Sequence, residues 1–309
     1  EVTARLLGIE PGHVLVASTG VIGHRLPMAK LEQGIPIAVE ALDRNHGSDL
    51  QVAQAIMTTD LRRKMIAATC HSDHWDGEVN IGGVCKGSGM IAPNMATMLC
   101  FLTTDAMVPS PLLQMALQRA VARSFNRVTV DGDTSTNDMV LLLAAGSGSV
   151  TIGEAGPAFE DFAEALTRVC TYLAREVARD GEGATKLVEV AVQGAASEAD
   201  AERVARTIAE SPLVKTALFG CDPNWGRILA AAGRAGASFD PDRARVVIGP
   251  FEVYAGGSAQ PFDRSMAHDY LTEEEVRVLV DLGHGQCAAT FWTCDLSYDY
   301  VRINAEYHT

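Results

Sequence analysis

An α/β protein is predicted by two observations: apolar residues recur at helical spacing in several stretches of ordinary length, and short β-branched runs lie between them. At 309 residues and 47% hydrophobic content, the chain can bury a large core as one big domain or two ordinary ones. Helices are expected near 110–124, where Ser110-Pro111 offers a cap and a first-turn proline, and near 158–179, 199–210 and 272–281. Strands are expected at His13-Val14-Leu15-Val16, at Arg127-Val128-Thr129-Val130, from Leu187 to Val192 and at Arg245-Val246-Val247-Ile248. Met98-Leu99-Cys100-Phe101-Leu102 reads as a further, buried strand. No repeat, low-complexity tract or long Pro/Gly/Ser linker marks a domain boundary.

Charge narrows the function. Lys and Arg number 25 against 39 Asp and Glu, a net charge of −14, which repels phosphate backbones and anionic lipid heads, so neither nucleic acid nor membrane is an expected partner. No run approaches the roughly 18 apolar residues of a membrane span, and Glu1-Val2-Thr3-Ala4-Arg5 has none of the marks of a signal peptide, so the expected compartment is the cytoplasm. The cysteines, 7 in number, are scattered and never spaced as CxxC, which reads as reduced core thiols rather than a disulfide framework or zinc knuckle.

The glycine-rich stretches carry the functional information. They are Ala17 to Gly23, Lys86 to Thr97, and Asp180-Gly181-Glu182-Gly183-Ala184-Thr185-Lys186, each able to bring backbone groups close to a ligand. In the second, Thr97 stands where loop becomes strand. Two readings of it are open. In one, Pro93-Asn94 makes an ordinary turn and Thr97 is a β-branched strand residue. In the other, the Thr97 hydroxyl attacks the carbonyl of Ala96, the peptide shifts to an ester, and water frees a new amino terminus. That α-amino group, with a reference pKa of about 7.7 to 8.0, can serve as base for its own hydroxyl.

The stretch resembles the self-cleavage site of the glutamate N-acetyltransferase family, also called ornithine acetyltransferase or the bifunctional ArgJ proteins of arginine biosynthesis. The resemblance continues through Ser124-Phe125-Asn126-Arg127-Val128-Thr129-Val130-Asp131-Gly132-Asp133-Thr134-Ser135-Thr136-Asn137-Asp138, through Asp180 to Lys186, through Phe219-Gly220-Cys221-Asp222-Pro223-Asn224-Trp225-Gly226-Arg227, and through Tyr300 to Thr309. It implies layered sheets and helices of the self-processing N-terminal-nucleophile type, with the chain cut into an α piece, 1–96, and a β piece, 97–309, that line one site. It implies that Thr97 takes acetyl from N-acetylornithine and passes it to glutamate in a ping-pong cycle, with Thr19 and Gly20 as the oxyanion hole. Substrate contacts fall on Thr58, Lys86, Thr97, Glu182, Asn304 and Thr309, where Glu182 suits an ammonium and Lys86 a carboxylate. A homo-oligomer of cleaved pairs is implied, and no cofactor; some relatives also accept acetyl-CoA, which no separate motif here decides.

Read singly, Lys86 and Glu182 are solvated loop charges, Thr19-Gly20 a strand-ending turn, and Asn304 and Thr309 a loose tail. Asp131-Gly132-Asp133 with Thr134, Thr136, Asn137 and Asp138 lacks EF-hand spacing and reads as a structural or site-flanking turn, while His71 and His74, three apart with Asp73 between, read as surface histidines because nothing supplies the rest of a coordination set, so no metal is expected. Against the family pattern, 18 residues precede Thr19 where a longer stretch is expected, Leu61 stands where a polar residue is expected, and Cys70 to Gly77 is long. Two other functions compete. One is an aminopeptidase or amidase that sends the acyl-enzyme to water, and the other is an uncut protein that binds amino acids without turnover.

Overall fold

The computed structural model describes residues 1–43, 46–92 and 98–306 and contains two sheets. The first is β1 (Lys64–Cys70), β2 (Val79–Lys86), β3 (Leu99–Thr104) and β4 (Met139–Ala144) in that order; β3 and β4 are parallel and the other neighbours antiparallel. The second is built from β5 (Leu187–Ala195), β6 (Arg245–Ile248), β7 (Phe251–Ala255), β8 (Ser258–Ala259), β9 (Glu275–Asp281) and β10 (Cys287–Cys294). Its order is β10-β5-β9-β6-β7-β8, with β5 and β9 parallel.

Helices α1 (Val2–Leu7), α2 (Met28–Glu40) and α3 (His46–Ala55) precede the first sheet. Next come α4 (Ser110–Arg123) and α5 (Pro157–Arg179). The second sheet is accompanied by α6 (Glu198–Ala209), α7 (Pro212–Phe219), α8 (Trp225–Gly233) and α9 (Arg264–Leu271), and α10 (Tyr298–Glu306) follows β10. Helix α5 organises the layers. Pro157 sits in its first turn, where a missing N–H costs nothing, and Phe159, Phe162, Leu166, Val169, Leu173 and Val177 recur three or four residues apart as a buried stripe. It packs on β1 and β2 on one side and on β5 and β10 on the other, so the core of the first sheet runs on into Leu187, Trp292 and Cys294 of the second. A separate core lies between the second sheet, β5 and β10 included, and α6 to α9.

The expected helices at 110–124, 158–179 and 199–210 are present within two residues, as are the strands at 98–102 and 245–248, and the strand expected at 187–192 runs three residues further, to Ala195. Three expectations are corrected. The segment expected as a helix at 272–281 contains strand β9: Thr272 to Glu275 looks like a helix start, but Val276, Val278 and Val280 alternate into the core, and this period of two decides. His13 to Val16 is not a strand; Pro11–His13 forms a 3-10 turn, Val16 is 73% exposed, and no strand among the described residues pairs with the run. Arg127 to Val130 bridges instead of laddering: Thr129 donates its N–H to Trp292 and Val130 to Ile91, so its hydrogen bonds go to two different segments.

Candidate active site

One cavity of about 440 Å³ opens where the glycine-rich stretches meet. Thr19 and Gly20 reach it from the irregular segment ahead of α2, Thr58 from the loop after α3, and Lys86 from the last position of β2. The turn after α5 contributes Glu182, α10 contributes Tyr300 and Asn304, and the segment leading into β4 contributes Asp131 and Asp133 to Asn137. Thus Thr19, Gly20, Thr58, Lys86, Glu182 and Asn304, far apart in sequence, line a single space. Ala96, Thr97 and Thr309 lie outside the described residues. Asn304 belongs to a helix rather than to a loose tail.

The charges here are held, not solvated. Lys86 is 1% exposed, and its ammonium donates to Thr58 Oγ1 at 3.3 Å. Burial pushes the Lys86 amine below its ordinary value, while the carboxylates of Asp60 and Asp138 pull it back. Glu182 is buried; its N–H donates to the Ser88 carbonyl at 2.8 Å, and its Oε2 accepts from Asn304 Nδ2 at 2.8 Å. The glycine at 89 is required by this carboxylate, because a Cβ there would overlap the Glu182 carboxyl group. Asp131 shapes the same loop, taking the N–H groups of Met90 at 2.7 Å and Ile91 at 3.0 Å and so holding Met90 at φ 55°. Burial raises the Asp131 carboxyl in spite of these donors.

Behind the cavity lies a buried ion network that sequence reasoning did not find. Lys64, at the start of β1, donates to Asp60 at 2.6 Å and to Asp180 at 2.5 Å, and all three side chains are almost inaccessible. Asp60 also takes the N–H of Gly87 at 2.7 Å and of Thr58 at 3.1 Å, while Asp180 takes those of Leu61 and Arg62. One lysine therefore fastens the Thr58 loop, the residue after Lys86 and the residue two before Glu182. Burial alone would raise the Asp60 carboxyl, but Lys64 and the two N–H donors hold it below its ordinary value. The available signal was the spacing Asp60…Lys64 together with the Asp that opens Asp180 to Lys186; a lone strand lysine otherwise reads as surface.

At the start of β3, Met98 donates its N–H to Asp138 Oδ1 at 2.8 Å. Remote from this site, His74 pairs with Asp161 and His71 lies 3.8 Å from Glu78, all exposed, and among the described residues no group of three or more His, Cys, Asp or Glu is placed to hold a metal ion.

The ArgJ family model matches residues 1–309. The chain belongs to the ArgJ family. The "Arginine biosynthesis bifunctional protein ArgJ" of a Synechococcus strain is 53% identical over all of this chain and 76% of its own length. The proteins of that name from Symbiobacterium thermophilum and Geobacillus stearothermophilus are 52% and 48% identical, this chain spanning 75% of each. The crystal structure of the ArgJ protein from Bacillus halodurans, 45% identical, superimposes with a TM-score of 0.65 over 67% of this chain and 98% of that one. The fold is thus the two-sheet ArgJ fold. The departure at Leu61 also has a physical reading: its side chain is 83% exposed, and the loop is anchored by its backbone N–H, which any residue but proline supplies.

Proposed function

We propose that this ArgJ chain is a self-cleaving acyltransferase of arginine biosynthesis that moves acetyl from N2-acetylornithine to glutamate through an ester on Thr97. The observation that carries the reading is the convergence of Thr19, Gly20, Thr58, Lys86, Glu182 and Asn304 on one cavity. Its lining suits a zwitterionic amino acid: Lys86 for a carboxylate, and Glu182, oriented by Asn304, for an ammonium.

In this reading the bond between Ala96 and Thr97 breaks first, by an N-to-O shift and hydrolysis, leaving pieces 1–96 and 97–309 around one site. The freed amine of Thr97 takes the proton of its own hydroxyl as the oxygen attacks the acetyl carbonyl. Thr19 and Gly20 stabilise the developing oxyanion. Collapse expels ornithine, whose nitrogen leaves with the proton, and the acetyl group stays on Thr97. The glutamate amine then attacks the ester and regenerates the hydroxyl. No cofactor is required. Acetyl-CoA is a second acetyl donor in the bifunctional version of this reading, and the working form is a cytoplasmic homo-oligomer of cleaved pairs.

The test is intact mass under denaturing conditions for wild type and Thr97→Ala, followed by turnover of N-acetylornithine with and without glutamate. Two fragments in wild type, one beginning at Thr97, a whole chain in the variant, and turnover accelerated by glutamate are expected. Acetate released at the same rate without glutamate would identify a hydrolase instead, and an uncut wild type would favour a binding protein.

A further inference from the structure

We infer that Asp138 is a positioning residue for acetyl transfer: its ionised carboxylate grips the peptide N–H that immediately follows Thr97 and so sets the backbone from which the nucleophile projects. The inference rests on Thr97 being the nucleophile, as proposed above.

The grip comes from the parallel pairing of β3 and β4, in register at Leu99 and Met139. One step before that register, Met98 is held at both polar backbone groups: its carbonyl accepts the Met139 N–H at 3.0 Å, and its N–H donates to Asp138 Oδ1 at 2.8 Å. That N–H belongs to the peptide that joins Met98 to Thr97, so the grip acts on the bond next to the nucleophile. Asp138 and the first residue of β4 thus hold both polar backbone groups of Met98, the residue that follows Thr97.

A neutral side chain could cap one N–H, and a half-buried carboxylate is a costlier way to do it. The neighbouring Asp131 shows what a purely structural carboxylate looks like in this loop. It takes three backbone N–H groups, from Met90, Ile91 and Asp133, on its two oxygens. Asp138 takes one, and its buried Oδ2 has no hydrogen-bond partner among the described residues. Such an under-coordinated carboxylate is retained for its charge. Burial pushes the Asp138 carboxyl up to about 6, against the pull of the Met98 N–H and of Lys86 at the end of β2. Among the described residues Lys86 is the charged group that acts on it. Ionised, the group makes a charge-assisted bond to Met98; protonated, it makes only an ordinary one.

The experiment is the pH dependence of acetyl transfer from N-acetylornithine to glutamate, between pH 5 and 8, by wild type and by D138N, which keeps the shape and the acceptor oxygen but not the charge. Both enzymes should lose kcat below about pH 8 as the Thr97 amine takes a proton, and wild type alone should fall more steeply below about pH 6 as Asp138 also protonates. In D138N kcat at pH 8 should fall by about tenfold or more with KM within about twofold, and the steepening near pH 6 should vanish while the limb of the amine stays. A D138N chain that stays uncut while being at least as thermally stable as wild type and still binding N-acetylornithine supports the same assignment, because maturation uses the same backbone. Should D138N fail to fold, the wild-type profile decides: a fall that does not steepen between pH 7 and 5.5 overturns the inference. So does a D138N enzyme with wild-type kcat, or one that keeps the steepening. A wild-type chain that stays whole removes the nucleophile reading and this inference with it, whereas a cut, active wild type beside an indifferent D138N removes this inference alone.

Discussion

Thr19-Gly20 and Glu182 face the same cavity from two regions built in different ways. Among the described residues before β1, Ala4, Ala53 and Asp60 are buried; α2 has no buried side chain, and Leu15, Val16, Ile22 and Ile37 stand in the open. Glu182, by contrast, follows directly on α5, whose apolar stripe lies between two sheets, and its turn is tied down again by Asp295, which takes the N–H groups of Thr185 and Lys186. Local stability follows buried contacts and protected hydrogen bonds. One wall of the site is therefore set by a core, and the other by a segment that borrows its order. The Lys64 network is where the borrowing happens, because Asp60 and Asp180 join the Thr58 loop to the end of α5 through one ammonium.

Cutting that junction should have the largest effect. Lys64→Met leaves two carboxylates buried without their cation, and a loss of about 3–5 kcal/mol is expected in denaturant melts, with KM for N-acetylornithine rising as the Thr58 loop is released. Since Asp60 is held below its ordinary value, the network contributes above about pH 4 and is lost on further acidification, so the deficit of the variant should narrow there. A smaller effect, of opposite sign, is expected from D138N in the well-packed region. A carboxyl raised to about 6 when folded costs stability while ionised. The variant should therefore be somewhat more stable than wild type at pH 7, by an amount that solvent screening of this half-exposed group keeps small, with the gain shrinking as pH falls from 6 towards 4. The smallest effect belongs to the open segment. Leu15→Ala, at a side chain 58% exposed, should change stability by no more than about 0.5 kcal/mol, and a larger loss would show that this stretch is packed in solution.

The elements legible in the sequence are those whose pattern is unambiguous. Helix α5 has its stripe and its first-turn proline, and β5 has a valine-rich run broken only by Glu189 up to Val192. Strand β9 was misread because Thr272 to Glu275 carries helix-start chemistry that outweighed the alternation of Val276, Val278 and Val280. His13 to Val16 shows the converse: β-branched character makes a strand only when an edge is there to pair with. At the site, resemblance led to the residues that line the cavity, each inside a glycine-rich or terminal motif. It did not lead to Lys64, whose role depends on Asp180, a partner 116 residues away. Asp138 closes a motif read as a site-flanking turn, and nothing in spacing distinguishes it from Asp131, with its oxygens fully occupied.

Strand β3 has a further consequence for the lifetime of the enzyme. It is hydrogen-bonded to β2 on one side and to β4 on the other. A cut before Thr97 would leave β1 and β2 on one polypeptide and β3 and β4 on the other, so neither product would own a complete first sheet. Opening such a molecule lets its halves diffuse apart, and rebuilding it becomes a second-order encounter that dilution slows. Once matured, the protein would persist by the slowness of its unfolding rather than by a reversible balance, and its working life would be measured as a rate.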